Sequence, residues 1–211
     1  MPYYVDVLTP SSARFSIEEM RTKAKELLPE VDVVLNEGTE KEWEELIIWV
    51  SEDDAVCTIS CTPFTKGESD DTDLGWMIWD IGRWQPGSGA EWLRKYLPSV
   101  TTTYRFRFLS RAYEGTDNRL TSTMINWIHE QRGGIVRADE EGYTNEYGHF
   151  ILWQFSDGAK GRREFAVCRE DGSWDSFIME LGNPEHRAAF KAGRVPDGVE
   201  QFSGRRTELT E

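Results

Sequence analysis

Hydrophobic positions in the first hundred residues follow two spacings, one typical of strands and one typical of a helix. Every second side chain of the segment 3–8 is apolar or aromatic, which predicts a strand. A helix is predicted to begin after Ser16 and to end at Pro29, with Ser16 and Glu19 forming a capping box. Its apolar positions have helical spacing: Ile17, Met20, Ala24, Leu27 and Leu28. Three further strands are predicted over 31–35, 45–51 and 55–61.

The second half of the chain shows a similar succession. A strand is predicted over 103–109, and a helix that contains Leu120 and Ile128 is predicted to end at Gly133. Three more strands are predicted, over 135–138, 150–155 and 164–168. Residues 62–98 connect the halves through a polar loop and a short helix, with Ser88 and Glu91 as a second capping box.

Both halves therefore have the predicted order β-α-β-β-β, at an offset near 100 residues. This order indicates either a diverged tandem duplication or a coincidence between two common strings of elements. Runs of strands around single helices predict an α+β fold, with mostly antiparallel sheets and helices packed on one face. We predict a first unit over 1–98, which includes an acidic and Trp-rich connection, a second unit over 99–193, and a poorly ordered tail over 194–211.

Charge narrows the class of partner. The chain of 211 residues carries 38 Asp and Glu against 24 Lys and Arg, a formal net charge of −14. Such a field repels phosphate backbones and anionic lipid, so a basic protein is the expected partner, with no direct nucleic acid and no membrane. The sequence has no apolar stretch as long as a membrane span and no signal-peptide pattern at its beginning.

The three cysteines indicate a reduced, cytoplasmic protein. Cys57 and Cys61 lie four residues apart in one predicted strand, about 13 Å from each other, which is too far for a disulfide. Cys168 leaves an odd number of cysteines. Buried, unreactive thiols are expected at Cys57 and Cys61, although a histidine brought near in space could activate either one.

Acidic residues are concentrated in the first hundred residues, where 20 acids stand against 9 bases. We predict a partner-binding surface that includes seven of these acids: Glu37, Glu40, Glu42, Glu44, Asp70, Asp71 and Asp73. Complementary charge of this kind steers association with a basic partner. The alternative interpretation is a solvated face that only keeps the protein soluble.

Tryptophans are concentrated next to the second acidic segment. Four of the nine Trp lie between residues 76 and 92, and Trp76 and Trp79 are candidate anchors for a partner. Trp is enriched at interface hot spots because it buries a large area at low entropic cost. Alternatively, a strand that contains Trp76 and Trp79 fills the core between the two units.

A second candidate site surrounds His149. Glu141 and His149 could form an acid/base pair, or could bind a metal together with Glu140. The alternative is an ordinary hairpin loop, since Gly142 and Gly148 supply turn geometry. His129 is expected on the solvated flank of its helix.

The sequence lacks the motifs of phosphate-binding loops, dinucleotide folds, serine-hydrolase elbows and zinc proteases. We therefore predict a non-enzymatic acidic binding protein that occludes a basic partner, as an immunity or inhibitor protein does against a toxin or nuclease. No cofactor, catalytic metal or catalytic triad is expected. The alternative function is an enzyme or small-ligand-binding protein with a site between the two units, in the Glu141 and His149 region.

Overall fold

A computed structural model describes residues 3–51, 54–64, 73–109 and 116–204, and within them the chain has an α+β fold. Five α-helices are described: α1 (Ile17–Leu27), α2 (Asp73–Asp80), α3 (Gly87–Tyr96), α4 (Thr116–Arg132) and α5 (Pro184–Lys191). The strands are β1 (Tyr3–Thr9), β2 (Asp32–Gly38), β3 (Trp43–Ser51), β4 (Asp54–Pro63), β5 (Thr102–Phe108), β6 (Ile135–Ala138), β7 (Gly142–Tyr143), β8 (Arg162–Cys168), β9 (Trp174–Glu180) and β10 (Gln201–Phe202).

The chain divides into two compact units that are not consecutive segments. The first unit combines Met1–Thr65 with Val100–Gly134, and the second combines Lys66–Ser99 with Ile135–Glu211. This division differs from the predicted boundary between residues 98 and 99. The reason is β5, which pairs on one side with β1 and on the other with β4, so that it joins the sheet of the first unit.

Five antiparallel strands of the first unit lie in the order β2-β3-β4-β5-β1. Helix α1 begins at the predicted capping box: Ser16 Oγ accepts a hydrogen bond from Glu19 N, and Glu19 Oε2 accepts one from Ser16 N. Trp43 is buried and donates from Nε1 to the carbonyl of Phe15 at 2.7 Å. The capping box and this bond fix where α1 starts relative to the sheet.

One ion pair lies between the two strands at the end of that order. Asp6 of β1 faces Arg105 of β5 in register, and its side chain is 1% exposed. Arg105 Nε donates to Asp6 Oδ1 at 2.8 Å, and Arg105 Nη2 donates to Oδ2 at 3.3 Å. This bidentate geometry is that of a strong, charge-assisted contact.

The second unit contains a β6–β7 hairpin and a separate antiparallel sheet in the order β10-β9-β8. Its core is an aromatic cluster around Phe165, which is fully buried. The ring centroids of Phe190 and Phe150 lie 4.7 Å and 5.7 Å from that of Phe165. Edge and tilted ring contacts of this kind add to the stabilisation that comes from area burial.

The structure does not confirm the internal repeat. In the first half, β2, β3 and β4 form one continuous meander. In the second half, β6 pairs with β7, whereas β8 pairs with β9 in a different sheet. The predicted strand over 150–155 contributes only isolated bridges at Phe150 and Trp153. The strand order of the two halves therefore differs.

Two local predictions are wrong. Ser88 and Glu91 do not form a capping box, because α3 begins two residues before the predicted start and has Pro86 as its N-cap. The described part of the predicted tail, residues 194–204, is ordered: β10 pairs with β9, and Ile178 N donates to Glu200 O at 2.9 Å. Residues 205–211 lie outside the described part of the chain.

Candidate partner-binding surface

The first candidate surface is the acidic hairpin, which we define as the exposed side chains of Glu37, Glu40, Glu42 and Glu44 on β2, β3 and the turn between them. Thr39 N donates to Glu42 O, and Glu42 N donates to Thr39 Oγ1, both at 3.1 Å. Gly38 has φ +92°, and a Cβ there would lie 2.5 Å from Glu42 O. Glycine is required at this position to close the turn that presents the acids.

One acid of the acidic hairpin faces a like charge on the neighbouring strand. Glu37 is directly opposite Glu45 in the β2–β3 register. Glu45 accepts hydrogen bonds from Asn36 at 2.6 Å and from Ser60 at 3.1 Å. Within the described residues, the carboxylates of the four hairpin acids make no hydrogen bond or ion pair. Since like charges directly opposite are destabilising, the hairpin holds its negative charge against a cost in folding free energy.

The second candidate surface is the Trp pair, Trp76 and Trp79, on helix α2. The two residues are 61% and 63% exposed, and their ring centroids lie 5.7 Å apart. The guanidinium of Arg83 lies 4.8 Å over the Trp79 ring. Leu74 and Met77 are the buried residues of this helix. The interpretation that a strand of Trp76 and Trp79 fills the core is therefore wrong, because the segment is a helix that buries its other face.

Three predicted acids of the binding surface remain, Asp70, Asp71 and Asp73. Asp70 and Asp71 lie outside the described residues, and Asp73 is the first residue of α2. The acidic hairpin belongs to the first unit, whereas the Trp pair belongs to the second.

His149 lies in the interior of the second unit. It is 0% exposed, and its Nδ1 is 3.0 Å from Ser176 Oγ. Its Nε2 is 3.6 Å from the carboxylate oxygen Oε2 of Glu164. Asn145 Oδ1 accepts a hydrogen bond from His149 N at 3.0 Å and so closes the loop.

This Ser-His-acid order is that of an acyl-transfer triad. However, Ser176 is only 2% exposed within β9, so a substrate could not reach its hydroxyl.

Glu141 N donates to Ala138 O, and Glu140 has φ 60°, which is the turn geometry of a hairpin. Across the part of the chain that the structure describes, no group of three His, Cys, Asp or Glu side chains is placed to hold a metal ion.

The prediction that His129 lies on the solvated flank of its helix is wrong. His129 is 3% exposed rather than solvated, and its Nε2 lies 3.0 Å from Gly134 O. Gly134 has φ +112°, and a Cβ there would collide with the carbonyl of Leu8. The histidine therefore helps to end α4 where the chain passes close to β1.

The structure adds a feature that the sequence did not indicate. A groove of about 290 Å³ lies beside β2, with these lining residues: Ser16, Ile17, Glu18, Arg21, Leu35 and Glu40. Its residues come from α1, β2 and the hairpin turn, which are brought together only by folding. Glu40 connects the groove to the acidic hairpin.

Cys57 and Cys61 are not activated as nucleophiles. Cys57 and Cys61 are buried in β4 without a disulfide, as predicted. Burial raises the pKa of the Cys57 thiol to about 12, and burial also raises the pKa of Cys61. The neutral thiol predominates at both positions at neutral pH.

Thiol labelling tests this assignment. At pH 8 the thiolate fraction of Cys57 is expected to be about one in ten thousand. An aromatic disulfide reagent should label one thiol per native chain ahead of the other two, at the half-buried Cys168, and all three thiols in denaturant. Burial also raises the pKa of Cys168, so this first phase should be slower than the labelling of a free thiol. The Cys168→Ser variant should lose the first phase, whereas the Cys57→Ser variant should keep it. Rapid labelling of Cys57 in the native protein would show that the assignment is wrong.

Comparison with protein-family models, curated proteins and solved structures finds no match for this chain. None of the helices in the described residues is both long enough and apolar enough to cross a membrane.

Proposed function

We propose that this chain is a non-enzymatic acidic binding protein that occludes a basic protein partner, as an immunity or inhibitor protein does against a toxin or nuclease. The observation that carries the proposal is the exposed Trp pair. Trp76 and Trp79 each leave about three fifths of their surface in solvent while they contact each other. Exposed adjacent aromatics are typical of interface hot spots and are unfavourable on a surface that contacts only water.

The acidic hairpin supports a positive charge on the binding surface of the partner. Its four carboxylates are exposed, and the one base in the segment 37–45 is Lys41. A basic surface would relieve the repulsion between Glu37 and Glu45 and would be attracted from a distance. The hairpin would supply steering, and the Trp pair would supply buried area.

The test uses the basic proteins encoded beside this chain in its genome, each purified and titrated against the chain by interferometry. We expect one of them to bind, and we expect Trp76→Ala and Trp79→Ala each to raise its Kd at least about 30-fold, mainly through faster dissociation. Tyr147→Ala is the matched control, since Tyr147 is a 39%-exposed aromatic of the same unit, and its Kd should not change.

Charge is tested separately. Changing all four acids of the hairpin to Gln should slow association and flatten its salt dependence, while Glu30→Gln, an exposed acid of the same unit, should do neither. The proposal fails if none of these basic proteins binds. It also fails if binding occurs and is unchanged in both Trp variants.

A further inference from the structure

Among the described strands, none pairs with the outer side of β2. It is the end strand in the order of the first unit, and β3 pairs with one side of it. On the outer side, Arg21 Nη2 donates to Val33 O at 3.0 Å, so this carbonyl points away from β3. Outward-pointing backbone groups recur at every second residue of an antiparallel strand, and Leu35 therefore presents its amide and carbonyl to the same side. Arg21 occupies the Val33 carbonyl, so the template for another strand begins at the Leu35 amide and carbonyl.

The groove borders this edge at Leu35, the residue of β2 that lines it. Ile17 and Leu35 supply apolar side chains to it, and Glu18 and Glu40 supply carboxylates. A strand added beside β2 would lie about 4.8 Å from it and would present alternate side chains to the groove. The groove therefore has room for side chains at the position where an added strand would place them.

The charges in the groove and at the end of the edge determine which kind of strand can bind beside β2. Arg21, the base that lines the groove, is already bound to Glu18 at 3.0 Å and lies 3.5 Å from Asp32. Glu37 and Glu40 are exposed at the end of the same edge. A second copy of this chain would bring like carboxylates together, whereas a basic segment would neutralise them.

We propose that the outer edge of β2 binds an extended basic segment of the partner as an additional strand. Alternate apolar side chains of the segment enter the groove over Ile17 and Leu35, and a lysine or arginine at the end of the segment reaches Glu37 and Glu40. Main-chain hydrogen bonds give affinity in this mode, and the groove gives specificity. The inference rests on the proposed function and names how part of the basic partner is recognised.

The probe is a capped eight-residue peptide of alternating lysine and valine, titrated into the isotopically labelled full chain. We expect amide shifts confined to residues 16–21 and 33–40, and slower hydrogen exchange at the Leu35 amide. The same peptide with every backbone amide N-methylated keeps its charge and loses its donors. Its Kd should be at least tenfold higher. A peptide of alternating glutamate and valine should not bind.

Two variants locate the contact on the protein. Leu35→Pro removes the outward amide and should raise the peptide Kd at least tenfold, while the β2–β3 pairing keeps its hydrogen bonds. Glu40→Gln should raise the peptide Kd several-fold, and the matched change Glu30→Gln should leave the peptide Kd unchanged. Because Leu35→Pro could unfold the hairpin, the N-methylated peptide tests the same hydrogen bonds with the unaltered protein.

Equal binding of the two basic peptides, shifts at residues away from β2 and α1, or self-association of the chain through this edge would overturn the inference. These outcomes are separable from failure of the proposed function. A basic protein that binds through the Trp pair with an unchanged Kd in Leu35→Pro would overturn the strand addition alone. Absence of any basic protein partner would overturn the proposed function.

Discussion

Replacing Asp6 with alanine is expected to lower the free energy of unfolding by about 3 kcal/mol. Asp6 is buried between two paired strands and accepts two hydrogen bonds from Arg105. Removing the carboxylate takes two charge-assisted hydrogen bonds from the partly buried guanidinium, and this cost exceeds what the intact pair contributes. Urea denaturation followed by tryptophan fluorescence measures the change.

The double variant Asp6→Leu with Arg105→Met is the control for this prediction. It removes both charges and fills the space with apolar side chains. Its free energy of unfolding should therefore fall clearly less than that of Asp6→Ala. The account of the ion pair is wrong if Asp6→Ala is as stable as the unaltered chain, or if the double variant is the less stable of the two.

Phe165→Ala should destabilise the second unit by about 4 kcal/mol, the largest effect expected of any single change considered for this chain. Phe165 is fully buried on β8, and Phe177 and Trp153 also lie close, with ring centroids 6.3 Å and 6.0 Å away. The truncation removes a ring from the centre of the aromatic cluster and leaves a cavity that stiff neighbouring rings fill poorly. Hydrogen exchange should show the loss of protection in β8 and β9.

Phe165→Leu is the matched variant, since it keeps most of the apolar volume and should lose only about 1 kcal/mol. Tyr147→Ala, which removes a 39%-exposed ring of the same unit, should lower the free energy of unfolding by clearly less than Phe165→Ala. If Phe165→Ala and Phe165→Leu lower the free energy of unfolding by the same amount, the cavity is not the cause of the destabilisation.

Local signals of the sequence predicted most elements of the first unit. The capping box at Ser16 and Glu19 fixes the start of α1 through hydrogen bonds within four residues. The strands at 45–51 and 55–61 are confirmed within β3 and β4, because each has enough β-branched and apolar residues to prefer an extended chain. Such preferences depend on the segment alone.

Predictions that depended on distant partners were wrong or incomplete. The segment 74–81 has apolar residues at both strand and helix spacing, and the burial of Leu74, Met77 and Ile81 shows that the helical spacing is the one used. The buried environment of His149 is set by Ser176 and Glu164. Ser176 and Glu164 are far from His149 in the sequence.

By itself the sequence determined the α+β class, the acidic charge, the capped first helix and the exposed acids of the hairpin, since each follows from composition or from neighbours along the chain. Tertiary structure alone decided which residues share a unit, that the Trp pair faces solvent, and that a groove lies beside β2. These features depend on which strand edges and helix faces are covered by distant segments. That covering is set by the free energy of packing the chain as a whole, which local patterns do not contain.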